Sequence, residues 1–318
     1  MATPLDFALL PTPIEPARRL AQALDMDDDA LWVKRDDLTG LGGGGNKVRK
    51  LAYLGADALA QGCDVLVTGG GRQSNHARTT AAAANRLGLD CTLVLNSHPV
   101  DVPSGNVLLD IVLGASIEWA GPIGYHELND AIEEAGERLR AAGRRPYVVP
   151  IGGASPVGEL GYVAAAAELS EQLADIELVV TAGGSGGTHA GLATGFGDHG
   201  RVLGVDVGAR PDLADFVKAA APTATGDVQV DLAQVGEGYG MPTESGRAAL
   251  DLFARTEGLI LDPVYTAKAA AGLVAARLDG RIERDTRTVF LHTGGLPALF
   301  SPRFADWVIS SPLSGPER

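Results

Sequence analysis

Short apolar runs alternate along this chain with longer stretches in which apolar positions recur at helical spacing. The runs at 31–34, 65–68, 92–95, 116–119, 147–150, 178–181, 202–206 and 289–292 are mostly Val, Leu and Ile. Their length and chemistry suit strands covered on both faces. Between them, 75–87 reads as an Ala-rich helix, and 126–142 as a helix whose Glu133, Glu134, Glu137, Arg138 and Arg140 form a wet face. Segments 16–24 and 242–256 open with proline, which suits the first turn of a helix. Strands alternating with helices predict an α/β protein with a parallel sheet covered on both sides. No repeat, low-complexity tract or linker interrupts the alternation, so a second domain has to be woven into the first.

The 318 residues suffice for one large domain or two ordinary ones. Aromatics are only 5%, so the core must be built largely of Ala, Leu and Val. A net charge of −14 opposes binding to nucleic acid or to an anionic membrane. No apolar run approaches the roughly 18 residues of a membrane span. The start, Met1-Ala2-Thr3-Pro4-Leu5-Asp6, lacks the basic and apolar stretches of a secretory signal, so cytoplasm is the default expectation. Cys63 and Cys91 each open a strand-like run and are expected as buried free thiols.

Candidate chemistry sits in three glycine clusters beside strand ends or helix starts: 42–45 before Asn46, 69–71 after Thr68, and 183–188 after Thr181. In a parallel sheet, ligands gather beyond the carboxyl ends of strands, where helix starts offer free N–H groups to anions. In Gly44-Gly45-Asn46-Lys47-Val48-Arg49-Lys50, Lys47 begins a helical run. It reads either as a solvated lysine or as an amine whose proton is loosened for imine formation. In Gln73-Ser74-Asn75-His76-Ala77-Arg78, a carboxylate could dock on the helix start, or Ser74 or Asn75 could simply cap it. His76 could equally be a core histidine. Ser185-Gly186-Gly187-Thr188 has the form of a phosphate cradle, without the Gly-Lys-Ser/Thr of a nucleotide loop. Gly184, Gly186 and Ala190 echo the dinucleotide fingerprint only loosely. Tyr239 and Tyr265 lie in Gly- and Pro-shaped loops, and His292-Thr293-Gly294-Gly295 ends a strand.

Taken together, GGNKVRK, QSNHAR, GSGGTHAG, GEGYGMPTE, DPVYTAK and HTGG resemble the 1-aminocyclopropane-1-carboxylate deaminase and D-cysteine desulfhydrase family. With Lys34-Arg35-Asp36-Asp37 at one end and Gly295 at the other, the resemblance spans most of the chain. It implies a pyridoxal-5′-phosphate enzyme of fold type II, like tryptophan synthase β. Such a subunit has two domains, each an open, mostly parallel twisted sheet flanked by helices. The large domain would be 1–50 with 158–318, and the smaller, inserted one 51–157. Lys47 would carry the cofactor as a Schiff base and move the Cα proton. Asn75 would bond the pyridine 3-oxygen. Ser185, Gly186, Gly187 and Thr188, helped by Lys50, would hold the phosphate. Asn46, Thr293 and Gly294 would complete the cofactor's surroundings. Ser74 with the N–H groups of Asn75 and His76 would take the substrate carboxylate, with Gln73 beside them. Tyr239 and Tyr265 would face the substrate as acid or base. The resemblance also implies a homodimer acting on a small amino acid, with no metal.

Departures from the family pattern bear on the substrate. Ring-opening deaminases carry Glu directly after the tyrosine of DPVY, where this chain has Thr266. Pairing of SNHAR with HTGG resembles the desulfhydrases and the L-cysteate sulfo-lyases. Thr293 would then neighbour the pyridine nitrogen in place of a carboxylate. The expected reaction is α,β-elimination, foremost of D-cysteine to pyruvate, ammonia and hydrogen sulfide. The alternatives are an L-cysteate sulfo-lyase, a 1-aminocyclopropane-1-carboxylate deaminase and a β-replacement synthase. A nicotinamide oxidoreductase and a catalytically silent binding protein are further alternatives. Arg72 stands where the family leads one to expect a small or apolar residue, and reads as a surface arginine or an extra anion contact.

Overall fold

The structure, a computed structural model, describes residues 3–310, so the ends of the expected domain ranges, 1–2 and 311–318, lie outside it. Among the described residues, ten strands form two sheets. They are β1 (Ile14–Pro16), β2 (Leu31–Lys34), β3 (Val65–Gly70), β4 (Asp90–Leu95), β5 (Ser116–Trp119), β6 (Pro146–Val148), β7 (Leu178–Gly183), β8 (Val202–Asp206), β9 (Gln229–Asp231) and β10 (Thr288–Leu291). The larger sheet has the order β1-β2-β10-β7-β8-β9 and the smaller the order β5-β4-β3-β6. Every pairing is parallel except β1 with β2. Central strands such as β3, Val-Leu-Val-Thr-Gly-Gly, are buried at every position, as strands covered on both faces must be.

The edges are where the sequence pattern misleads. Pro16 does not start a helix: it ends β1 and pairs with Trp32, and the helix begins at Arg18. An edge strand loses little by having a residue without an N–H. Strand β9 closes the other edge and is only three residues long, too short for an apolar run to announce it. Cys91 is buried as expected, whereas Cys63 is half-buried.

Small residues let the layers approach closely. On helix Asn75–Leu87, Ala77, Ala81 and Ala84 bury against Leu66 of β3 and Leu93 of β4. Helix Lys47–Ala60 carries the chain from the larger sheet to the smaller one. Its fixed partner is helix Pro156–Gln172, which comes so near that a Cβ on Gly161 would lie 2.5 Å from the Arg49 carbonyl oxygen. A buried ionic network locks these elements. Asp36 accepts from Arg49 Nε at 2.8 Å and from the Tyr162 hydroxyl at 2.6 Å, while Arg49 also donates to Glu168 at 2.9 Å. Lys34 pairs with the same Glu168. Burial alone would raise the Glu168 carboxyl, but Arg49 and Lys34 hold it down at about 2. Among the described residues, no helix is long and apolar enough to cross a membrane.

Candidate active site

Carboxyl ends of both sheets converge on one cavity of about 240 Å³. The turns after β3, β7, β8 and β10 line it, together with the start of helix Lys47–Ala60. The glycine loop before Lys47 folds back so tightly that a Cβ on Gly44 (φ +73°) would fall 2.1 Å from the Asp37 carbonyl oxygen. Lys47 itself opens onto the cavity. Burial brings its amine down to about 8, so a sizeable fraction is neutral and nucleophilic near physiological pH.

On the opposite wall stands the start of helix Asn75–Leu87. Ser74 Oγ accepts from the Ala77 N–H at 3.1 Å, so it does cap the helix. Its own hydroxyl proton stays free to donate. A Cβ on Gly70 would sit 2.4 Å from that Oγ, so only glycine leaves the space. The N–H groups of Asn75 and His76 meet no acceptor among the described residues, as expected of a first turn. Asn75 Oδ1 accepts from Asn106 Nδ2 at 2.9 Å, which directs the Asn75 amide N–H toward the cavity as a donor.

The His76 ring can be assigned a tautomer. Thr68 Oγ1 spends its proton on the Val149 carbonyl at 2.8 Å. It must therefore accept from His76 Nε2–H at 3.0 Å, leaving Nδ1 as a buried, unpartnered acceptor. Burial, then the nearby charges of Lys47 and Lys50, hold His76 well below its ordinary range, so the ring is neutral.

The third wall is the turn after β7. Helix Gly187–Phe196 begins there with no side-chain cap, and the N–H groups of Gly187 and Thr188 have no acceptor among the described residues. Both residues are buried. A buried, uncapped helix start of this kind calls for an anion. Lys50 stands directly behind it. Its fully buried ammonium has one acceptor among the described residues, the Gly152 carbonyl at 3.2 Å, and a Cβ on Gly187 would lie 2.8 Å from Nζ. Burial first, then the charge of Lys47, pushes Lys50 well below its ordinary value. An anion on the loop would restore its proton. Asn46 Nδ2 donates to Thr188 Oγ1 at 3.1 Å and ties this wall to the Lys47 loop. The donor set therefore fits a phosphate held beside a reactive amine.

Tyr239 and Tyr265 close the cavity with their hydroxyls hydrogen-bonded to each other. Asp262 sets the position of Tyr265, accepting from the N–H groups of Val264, Tyr265 and Thr266 at 2.9, 3.0 and 2.9 Å. Burial raises both phenols above their ordinary range, Tyr265 the more strongly, so the pair is protonated at neutral pH.

Not every expected residue reaches the cavity. Gln73 turns away, bonding the Ser104 carbonyl and the Asn106 N–H instead. Lys50, Gly187 and Gly294 lie behind the wall, whereas Thr293 lines it. Thr266 is fully buried and tied to Asp262, so it too stays outside the lining. Arg72 is exposed in an adjoining recess with His98 and Arg303. Sequence reasoning missed Asn96, Tyr125, Gly152, Gly208 and Ala209, which also line the cavity. It missed Arg210 as well, which donates to the Tyr125 hydroxyl at 3.1 Å and the Ser185 carbonyl at 3.3 Å across the cleft. Gly152-Gly153 after a strand carried the same signal as the other clusters, while Tyr125 and Arg210 carried none.

Comparison with known proteins agrees with this geometry. Residues 5–294 match the family described as pyridoxal-phosphate dependent enzyme. A D-cysteine desulfhydrase of Serratia proteamaculans (strain 568) is 41% identical, with 93% of this chain and 95% of that protein covered. A crystal structure of an ACC deaminase homologue superposes with a TM-score of 0.87 at 37% identity, covering 96% of this chain and 95% of that one. Threonine deaminase isoform 2 of Solanum lycopersicum shares the fold at 19% identity and a TM-score of 0.69, covering 94% and 82% of the two chains. The chain thus belongs to the pyridoxal-phosphate dependent enzymes, in the group of 1-aminocyclopropane-1-carboxylate deaminases and D-cysteine desulfhydrases.

Proposed function

We propose that the protein catalyses α,β-elimination on a small β-substituted amino acid, foremost D-cysteine, giving pyruvate, ammonia and hydrogen sulfide. One observation carries the reading: among the described residues, no Asp or Glu lines the cavity. A carboxylate beside the ring nitrogen would keep that nitrogen protonated, and here Thr293 offers only a neutral hydroxyl. Bound pyridoxal phosphate supplies an electron sink at the substrate's Cα, and without a protonated ring nitrogen that sink is modest. Elimination tolerates this because the leaving group departs with the electron pair. Ring opening, by contrast, has no such leaving group.

The residues then divide the work. Lys47 Nζ would hold the cofactor, and as a neutral amine it would accept the proton from the substrate's Cα. The Ser74 hydroxyl and the N–H groups of Asn75 and His76 orient the substrate carboxylate. Asn75 Nδ2 would donate to the 3-oxygen on the cofactor ring. Ser185, Gly186, Gly187 and Thr188 would hold the phosphate, with Lys50 neutralising it. The protonated Tyr239–Tyr265 pair donates to the departing sulfur. Among the described residues no Arg, and no Lys besides the cofactor-bearing Lys47, lines the cavity, and the His76 ring is neutral, which favours a thiol side chain over a sulfonate. The preference for the D enantiomer rests on the Serratia relative. The division into 1–50 with 158–318 and 51–157 is supported by the placement of β3 to β6 in the smaller sheet. We also propose a homodimer, on the family resemblance.

The test is a substrate screen with D-cysteine, L-cysteate, D-serine, β-chloro-D-alanine and 1-aminocyclopropane-1-carboxylate, scored for 2-oxoacid, ammonia and sulfide. D-Cysteine should give the highest kcat/KM, with the three products in equal amounts. Preferential release of 2-oxobutanoate from the cyclopropane substrate would overturn the reading.

A further inference from the structure

Lys268 belongs to none of the functions above, yet it is fully buried in helix Thr266–Leu278, one turn beyond Tyr265. Among the described residues, its hydrogen-bond partners are all backbone carbonyls. Nζ donates to Val235 O at 2.7 Å, Gly238 O at 3.1 Å and Val207 O at 3.4 Å. Three donors are all that an ammonium has, so its capacity is spent on two loops. Val207 leads into Gly208 and Ala209, and Gly238 leads into Tyr239; all three residues reached this way line the cavity. The loops touch, since a Cβ on Gly208 (φ +77°) would lie 3.2 Å from the Tyr239 nitrogen. The titratable groups that act on Lys268 are Asp206, whose Oδ1 accepts from the Gly208 N–H at 2.7 Å, and Asp262. A buried ammonium is costly, and an apolar side chain of the same volume would fill the space as well. What the apolar side chain would lack is a grip on three carbonyl dipoles.

We infer that Lys268 is a positioning residue for the tyrosine pair: from the helix that presents Tyr265, it fixes the loop that presents Tyr239. The inference rests on the reading of those tyrosines as the proton donors. Misplacing a reacting group by about 1 Å can cost on the order of a hundredfold in rate. Lys268→Met should therefore lower kcat about 10- to 100-fold while KM stays within about twofold, because the Ser74 side of the cavity is untouched.

The experiment is a double-mutant cycle on the holoenzyme, with D-cysteine as substrate and cofactor absorbance as the check on folding. Variants are Lys268→Met, Tyr239→Phe and the pair. If Lys268 acts through Tyr239, Lys268→Met costs less than about twofold further in the Tyr239→Phe background, whereas independent effects would multiply. An undiminished loss in a slowed Tyr239→Phe enzyme overturns this inference alone. A Tyr239→Phe enzyme of normal kcat overturns the tyrosine reading and the inference with it. Lys268→Gln, which keeps two donors without the charge, repeats the cycle should Lys268→Met not fold. Failure of both variants to give holoenzyme assigns Lys268 to stability and also overturns the inference.

Discussion

Lys50 offers a perturbation whose sign reverses with the state of the protein. It is fully buried, and among the described residues it has one carbonyl acceptor at 3.2 Å, the Lys47 amine as a like-charged neighbour and the Glu159 carboxyl as a weaker opposing charge. In the apoprotein this ammonium is a liability, and burial pushes it toward the neutral amine. Lys50→Met keeps the volume and removes the charge, so the apoprotein should be as stable as before or more so. In the holoprotein the same change would remove the buried charge that backs the phosphate loop, and losing a charged partner costs roughly 1.5–3 kcal/mol. Cofactor Kd should rise about 10- to 150-fold. Thermal unfolding with and without cofactor measures the effect on stability, and titration of the apoprotein with pyridoxal phosphate, followed by absorbance, the effect on affinity. Linkage supplies a third sign. Lys47 and Lys50 both bind fewer protons in the folded apoprotein than in the unfolded chain, where each has its ordinary 10.5. Apoprotein stability should therefore rise with pH, for Lys47 between about 8 and 10.5, and Lys50→Met should flatten the total rise. Unchanged cofactor affinity, or an apoprotein clearly less stable than the parent, would refute the phosphate assignment.

Other predictions address the remaining walls. Ser74→Ala should raise KM about 10- to 100-fold by removing one hydrogen bond to the substrate carboxylate. Tyr265→Phe should lower kcat by about 10²–10⁴ and leave the cofactor bound, as steady-state kinetics will report. Thr266→Glu should not yield efficient ring opening. Position 266 is fully buried against the Asp262 carboxylate, so a second carboxylate there should lower Tm and leave cyclopropane turnover far below elimination. Asp36→Asn removes the charge facing Arg49 and should cost about 3–5 kcal/mol in urea unfolding, with the losses in kcat following the misplaced Lys47 helix.

Much of the fold was legible because its central strands are covered on both faces. Runs such as Val65–Gly70 and Leu178–Gly183 cannot hide in the sequence, since every residue in them is apolar or small. The edges were not legible: β1 and β9 are three residues each, and Pro16 suits an edge strand as well as a helix start. The anion sites were legible from glycines, because only a side-chain-free backbone allows the close approaches seen at Gly44, Gly70 and Gly187. Direction was not legible. Gln73 and Ser74 are neighbours, yet one faces the helix start at Asn106 and the other the cavity. Arg210 and Tyr125 meet only because the chain brings two distant helix starts together across the cleft, and no local pattern encodes that. Lys268 could be read in DPVYTAK as a surface lysine on a helix; its burial follows from three carbonyls that only the folded loops bring together.

The account stands on Lys47 as the amine that carries the cofactor. Borohydride reduction of the holoenzyme fixes the cofactor to whichever lysine holds it, and peptide mapping identifies that lysine. Lys47 should carry the label, and Lys47→Ala should abolish both the label and turnover. A label on Lys50, whose amine stands behind the phosphate loop, or on the carbonyl-bound Lys268, would contradict the assignment on which every other role in the cavity depends.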